Sequence, residues 1–265
     1  MDKDKPVKLE NHLMNHTHTH KPPLYYGWYI VATCMFIAFV SVGARSAFGV
    51  FVVPMSEDFG WSRRAISLAA ALGFLVNGLT QPLLGGLLDR FGGRKVIVAS
   101  LLIYGLVTGA LSLTFHLAFL AFMFGVVASV ALSGASLNNT GALLTRWFRR
   151  RRATAIGLNA AGLSLGGLLL VPFAMYLLQA TNWRITWAAL GLIILALSLP
   201  LAFLFLRDDP TKMGLHPDGE TAPPDNLNGA SGERTGGPLE TGRWVQSFRS
   251  LPIWQMTGSY FVCGA

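Results

Sequence analysis

Inside the long apolar stretches of this 265-residue sequence almost no side chain can do chemistry, so the few that can are informative. Arg45 is the sharpest. It falls within an apolar run that extends to about Val53, roughly 13 Å inward from Pro54 at about 1.5 Å per helical residue. A guanidinium at that depth costs roughly 2.5–3.5 kcal/mol on insertion scales. Two readings of it stand: it faces a water-filled cavity or an anion, or it snorkels to the outer interface. If it meets a ligand, a carboxylate fits best, because the planar fork donates two parallel hydrogen bonds. Amides come next. Asn77 and Gln81 are spaced i, i+4 on one helix face, and Asn138, Asn139 and Asn159 add amides at membrane depth. Each amide either lines a cavity or bonds a neighbouring helix. No Asp or Glu falls inside the six apolar runs, so a proton-carrying carboxylate is not offered there. No nucleophile–base set occurs either, so an enzyme reading finds no support. His116 reads as an interface residue.

The third chemical feature is a charged turn, Gly85–Lys95, reading GGLLDRFGGRK. Gly85 allows close helix approach. Gly92 and Gly93 permit a tight reversal. Asp89 can sit against the positive N-terminal end of a neighbouring helix, and Arg90, Arg94 and Lys95 supply cations.

These residues need membrane helices to position them. Only 13% of the residues are charged and 52% are hydrophobic, against about 25% charged in soluble domains. Six apolar runs near the spanning length of about 20 residues predict helices over 27–53, 66–88, 96–113, 117–147, 153–178 and 185–206. Tyr25, Tyr26, Trp28 and Tyr29 form an interfacial belt at the first. The first run is too long for a cleaved signal peptide. The expected organisation is a polar tail over 1–24, a six-helix bundle over 25–206, a solvated Gly/Pro/Asp-rich linker over 207–250 and the start of a seventh helix over 251–265. That last run is too short to span, so the chain reads as a fragment of a longer protein. Cys34 and Cys263 sit in apolar runs and read as small hydrophobes. His12, His16, His18 and His20 in the tail read as incidental rather than as a metal site.

The net charge of +8 does not indicate nucleic acid, because the cations lie in loops between apolar runs. Placing the N-terminus inside puts 17 of the 21 Lys and Arg on that side and three outside, with Arg45 in the membrane. That bias predicts a cytoplasmic tail and linker and an integral protein of the cell membrane. The alternation also suits two inverted three-helix repeats.

The turn resembles the signature of the major facilitator superfamily between helices two and three. Gly85, Asp89, Arg90, Gly92 and Arg94 fall on the pattern, and Gly93 departs from the usual Arg. YGWYIV and SAFGVFVVPMSEDFGWSRRAIS in 26–67, and RWFRRRRATAIGLNAAGLSLGG in 146–167, are similar to the monocarboxylate transporter and oxalate:formate antiporter branch, as is the linker opening RDDPTKMGLHPDGE. The fold implied is all-α: the six-helix N-terminal half of a major facilitator bundle. The activity implied is alternating-access transport of a small organic anion, a monocarboxylate or dicarboxylate, coupled to a proton or a counter-anion and without cofactor or metal. The resemblance implies substrate contact at Arg45 and a cytoplasmic latch at the 85–95 turn; Asn77, Gln81, Asn138 and Asn159 complete the candidate substrate set. A Gly-Pro pair in helix five and an Arg within helix four are absent, which disfavours drug export. The alternatives are another solute, a sugar or a drug, or a non-transporting half-protein or membrane scaffold. A C-terminal half is expected in the intact protein.

Overall fold

In a computed structural model the described residues are 25–210 with Met213, Leu215, Asp218, Trp254 and Gln255. They are helical, with no strand among them. Six helices are long and apolar enough to cross a membrane: α1 Gly27–Phe59, α2 Arg63–Phe91, α3 Gly93–Leu113, α4 Leu117–Trp147, α5 Arg152–Ala180 and α6 Trp183–Phe205. The tail with its histidines, the seventh helix and Cys263 lie outside the described residues, apart from helical Trp254 and Gln255.

The packing carries the inverted repeat. Helix α1 packs chiefly on α5, α2 on α4, and α3 on α6. Exchanging the first three helices for the last three in order turns the first pair into the second and leaves the third unchanged. That is the contact pattern of two related three-helix units.

Glycine lets α1 and α5 approach to backbone contact. A Cβ built on Gly43 would lie 2.7 Å from the Gly166 carbonyl, and one on Gly166 would lie 3.1 Å from the Gly43 nitrogen. A Cβ on Gly162 would strike the Met35 carbonyl. Gly157 and Gly167 on the same helix meet nothing within 4 Å. Of these four α5 glycines only Gly162 and Gly166 therefore meet α1 in this bundle.

Helix α1 runs past the expected end at Val53. It breaks once at Ala47 and continues as Phe48–Phe59 through Pro54. The proline removes one backbone donor, but Phe51 and Met55 are fully buried on this segment and hold it in place. Phe51 stacks on Trp187 at 4.1 Å and Phe48 on Phe124 at 4.1 Å. Asp58 accepts from the Trp183 indole, tying α1 to α6. The expected loop Pro54–Arg64 shrinks to Gly60–Ser62, where Gly60 takes φ +67 and Ser62 caps α2 by accepting from the Ala65 N–H at 3.3 Å.

Helix α4 is not uniform. It carries a π segment, Ala121–Ala128, and a break at Ala135. Asn139 answers the break, donating Nδ2 to the Ser133 and Gly134 carbonyls at 3.0 and 3.2 Å.

The first part of the linker is not simply solvated. Helices α3 and α5 begin with no side-chain cap of their own, and the linker brings a carboxylate to the first turn of α3 and to the residues that lead into α5. Asp208 accepts from the Arg94 N–H at 2.6 Å. Asp218 accepts from the N–H groups of Arg149, Arg150 and Arg151 at 2.8, 2.7 and 3.5 Å. Orphan donors at a helix start, with the dipole behind them, hold carboxylates well.

Candidate functional site

The break at Ala47 and the i, i+4 faces of α2 and α4 bring Arg45 to a cavity of about 320 Å³, lined among others by Val42, Phe48, Gly49, Ala70, Phe74 and Phe124. Arg45 is half-buried there. Its Nη1 donates to Ser129 Oγ at 3.3 Å. Its Cζ lies 4.4 Å from the centre of the Phe74 ring and 5.9 Å from that of Phe124. Aromatic faces attract a guanidinium but leave most of its five N–H donors unfilled. Among the described residues Arg45 makes no ion pair. The arrangement is a cation with free donors on an amphipathic wall, suited to an anion with an apolar body.

Beside the cavity, α2 is stitched to α4. Asn77 Nδ2 donates to the Ser129 carbonyl at 3.1 Å. Thr80 and Ser133 share a hydrogen bond at 3.0 Å, and Ser136 Oγ donates to Gln81 Oε1 at 3.5 Å. Asn77 and Gln81 thus belong to one α2–α4 seam, Asn77 beside Arg45 through Ser129 and Gln81 further along at Ser136, and neither is among the cavity residues. Asn159 is brought elsewhere: it is fully buried and donates to Thr140 Oγ1 at 2.8 Å, with its Oδ1 unpartnered. Asn138 is exposed on α4 and is not among the cavity residues.

The charged turn sits at the end of the bundle that carries the basic run. Gly92 adopts φ +90, and a Cβ there would come within 2.9 Å of the Asp208 carboxylate. Arg94 bridges α3 to α6, donating Nη2 to the Phe203 carbonyl at 2.7 Å. Asp89, 79% exposed, pairs with Arg146 of α4 at 3.9 Å. Arg90 lies over the Phe91 ring at 5.4 Å, and Lys95 is exposed. No described residue comes within 4 Å of a Cβ built on Gly85 or Gly86.

Ser129, Gly73 and Phe74, and the caps Asp208 and Asp218, went unnoticed in the residue types alone. A signal did exist for the seam. Hydroxyls at 129, 133 and 136 repeat at helical spacing, as do Asn77, Thr80 and Gln81.

Together, six spanning helices in two inverted units, three of them lining a cavity that holds Arg45, define an integral membrane protein of the transporter kind. Residues 34–265 match the family described as Major Facilitator Superfamily, and the chain belongs to that superfamily. It is 28% identical over 222 residues to the "Probable anion transporter 6, chloroplastic" of Arabidopsis thaliana, which covers 82% of this chain and 41% of that protein. It is 29% identical over 194 residues to the "Monocarboxylate transporter 13" of Bos taurus, covering 71% and 45%. It is 33% identical over 162 residues to the "Voltage-gated purine nucleotide uniporter SLC17A9" of Homo sapiens, covering 60% and 36%. The chain thus spans less than half the length of these relatives. Members of this superfamily are transporters rather than enzymes.

Proposed function

We propose that this chain forms the first six-helix half of a secondary transporter for a small organic anion, a monocarboxylate or dicarboxylate. The observation that carries the reading is Arg45: a permanent cation at membrane depth, at a cavity, with one hydrogen bond and no ion pair among the described residues. A charge in that position is stabilised when an anion arrives and is costly when nothing does. The cavity is of a size for a small ligand. Relatives named for anion and monocarboxylate transport support the same class.

The carboxylate contacts Arg45, its apolar body rests on Phe74 and Phe124, and Asn77 and Gln81 flank it from α2. The tail and linker face the cytoplasm of a cell membrane, and the Asp89–Arg94 turn latches the inside against the second half. A proton or a counter-anion is the coupling partner. Counterflow in proteoliposomes of the full-length protein tests this, with L-lactate, oxalate, glucose and inorganic phosphate offered in turn. Saturable carboxylate exchange that Arg45→Ala abolishes is expected. Glucose transport, or carboxylate exchange untouched by Arg45→Ala, sinks the proposal.

A further inference from the structure

We propose that Gly73 and Ser129 form a socket that aims the Arg45 guanidinium into the cavity, so that Ser129 sets the affinity for the anion; this rests on the organic-anion reading above. Ser129 is fully buried. A hydroxyl has one hydrogen and two lone pairs. The Ser129 hydrogen goes to the Phe124 carbonyl at 3.1 Å, inside the π segment of α4. The lone pairs are left to Arg45 Nη1 at 3.3 Å. The hydroxyl is therefore a fixed acceptor with no freedom to turn away.

Its backbone is fixed as well. The Ser129 carbonyl accepts from Asn77 Nδ2 at 3.1 Å and from Ser133 Oγ at 3.0 Å. The π segment makes room for this arrangement, since a wider turn brings Phe124 and Ser129 together. Such segments inside α-helices recur at functional sites. Phe74 covers the guanidinium at 4.4 Å. One donor is thus anchored and one face covered, and the remaining donors are directed.

Gly73 supplies the space. A Cβ built there falls 2.6 Å from Ser129 Oγ, but 3.5 Å from the Gly125 Cα and 3.6 Å from Arg45 Nη2. The last two are ordinary contacts. A methyl group added at Gly73 therefore strikes the hydroxyl and nothing else within reach. The socket needs the serine and the glycine together.

The pair makes a sharp test in the full-length protein. Removing a hydrogen bond to a charged group weakens the interaction it supports by about tenfold or more. Ser129→Ala should raise the KM for L-lactate or oxalate counterflow about tenfold, with the maximal rate within about twofold. Gly73→Ala should do the same by displacing the hydroxyl. The double variant should be no worse than Ser129→Ala, because the oxygen that the added methyl group would strike is gone. Additive effects, or a KM unmoved by Ser129→Ala, overturn the socket.

A second readout needs no anion. In 15N-arginine spectra the Arg45 Nη signals, assigned by their loss in Arg45→Lys, should be split by restricted rotation and should merge in Ser129→Ala. Merged signals in the unmutated protein contradict the socket. Split signals that merge as expected, with exchange indifferent to Arg45→Ala, overturn the anion reading and leave the socket standing.

Discussion

Replacing Gly166 by alanine should loosen the bundle at the contact that carries Arg45, while replacing Gly167, one residue along, should not. A Cβ at 166 would lie 3.0 Å from the Phe39 carbonyl carbon, 3.1 Å from the Gly43 nitrogen, and nearer still to the Phe39 oxygen. Carbon-to-carbonyl-oxygen contacts settle at about 3.3 Å or more, so the α1 and α5 backbones must part by about 1 Å. Neither backbone can rotate away as a flexible side chain would. Overpacking of this kind costs about 1–3 kcal/mol. At about 2–4 °C per kcal/mol for a domain of this size, a mid-range cost lowers Tm by about 4–8 °C. At 167 nothing lies within 4 Å of the added carbon. There alanine gains up to about 1 kcal/mol of helix propensity, and Tm should hold or rise. Thermal unfolding of the purified protein in one detergent, both variants side by side, reads the difference. Transport should follow, because Arg45 lies two residues beyond Gly43 and moves with α1. Equal shifts for the two variants refute the reasoning from backbone contact.

Three further outcomes follow from other contacts. Arg45→Lys should retain the charge but lose most carboxylate exchange, since an ammonium cannot make the paired hydrogen bonds of a guanidinium; full activity in flux assays contradicts a forked contact. Asp218→Asn should destabilise the protein at neutral pH. Burial alone would raise the Asp218 pKa, but the N–H groups of Arg150, Arg149 and Arg151 and the Arg151 charge outweigh it and hold the carboxyl below its usual range. A depressed folded pKa contributes stability above the unfolded value of about 4. That contribution is lost as pH falls through the folded value, so the Tm gap between Asp218→Asn and the unmutated protein should close in acid and persist above pH 5. Asp89→Asn should change the thermal stability of this half by less than about 1 kcal/mol, because its partner Arg146 is 3.9 Å away across exposed side chains; a large fall in Tm measured for this six-helix chain shows that the pair holds the fold.

What was legible in the sequence was whatever a single helix decides for itself. Apolar length marks all six spans, and the cation count marks the sides expected of their loops. The turn at 85–95 was readable because glycine and charge cluster there without a partner element being needed. What escaped depends on two elements meeting. Pro54 reads as a helix end, yet burial of Phe51 and Met55 against α6 and its neighbours carries α1 on to Phe59. Asp208 and Asp218 sit in a polar stretch whose composition suggests a free linker, and only the bare starts of α3 and α5 reveal their purpose. Of the amides, Asn77 and Gln81 come to the α2–α4 seam, while Asn159 goes to Thr140; nothing in their residue type separates those fates. Gly73 is one glycine among 29, and its importance appears only with Ser129 opposite.

The most direct measurement compares L-lactate with lactamide, its uncharged counterpart of the same shape, in counterflow by the full-length protein and by its Arg45→Gln variant. The account predicts saturable lactate exchange, none for lactamide, and loss of lactate exchange in the variant. Comparable exchange of both compounds, or lactate exchange that survives Arg45→Gln, contradicts a guanidinium that recognises a carboxylate.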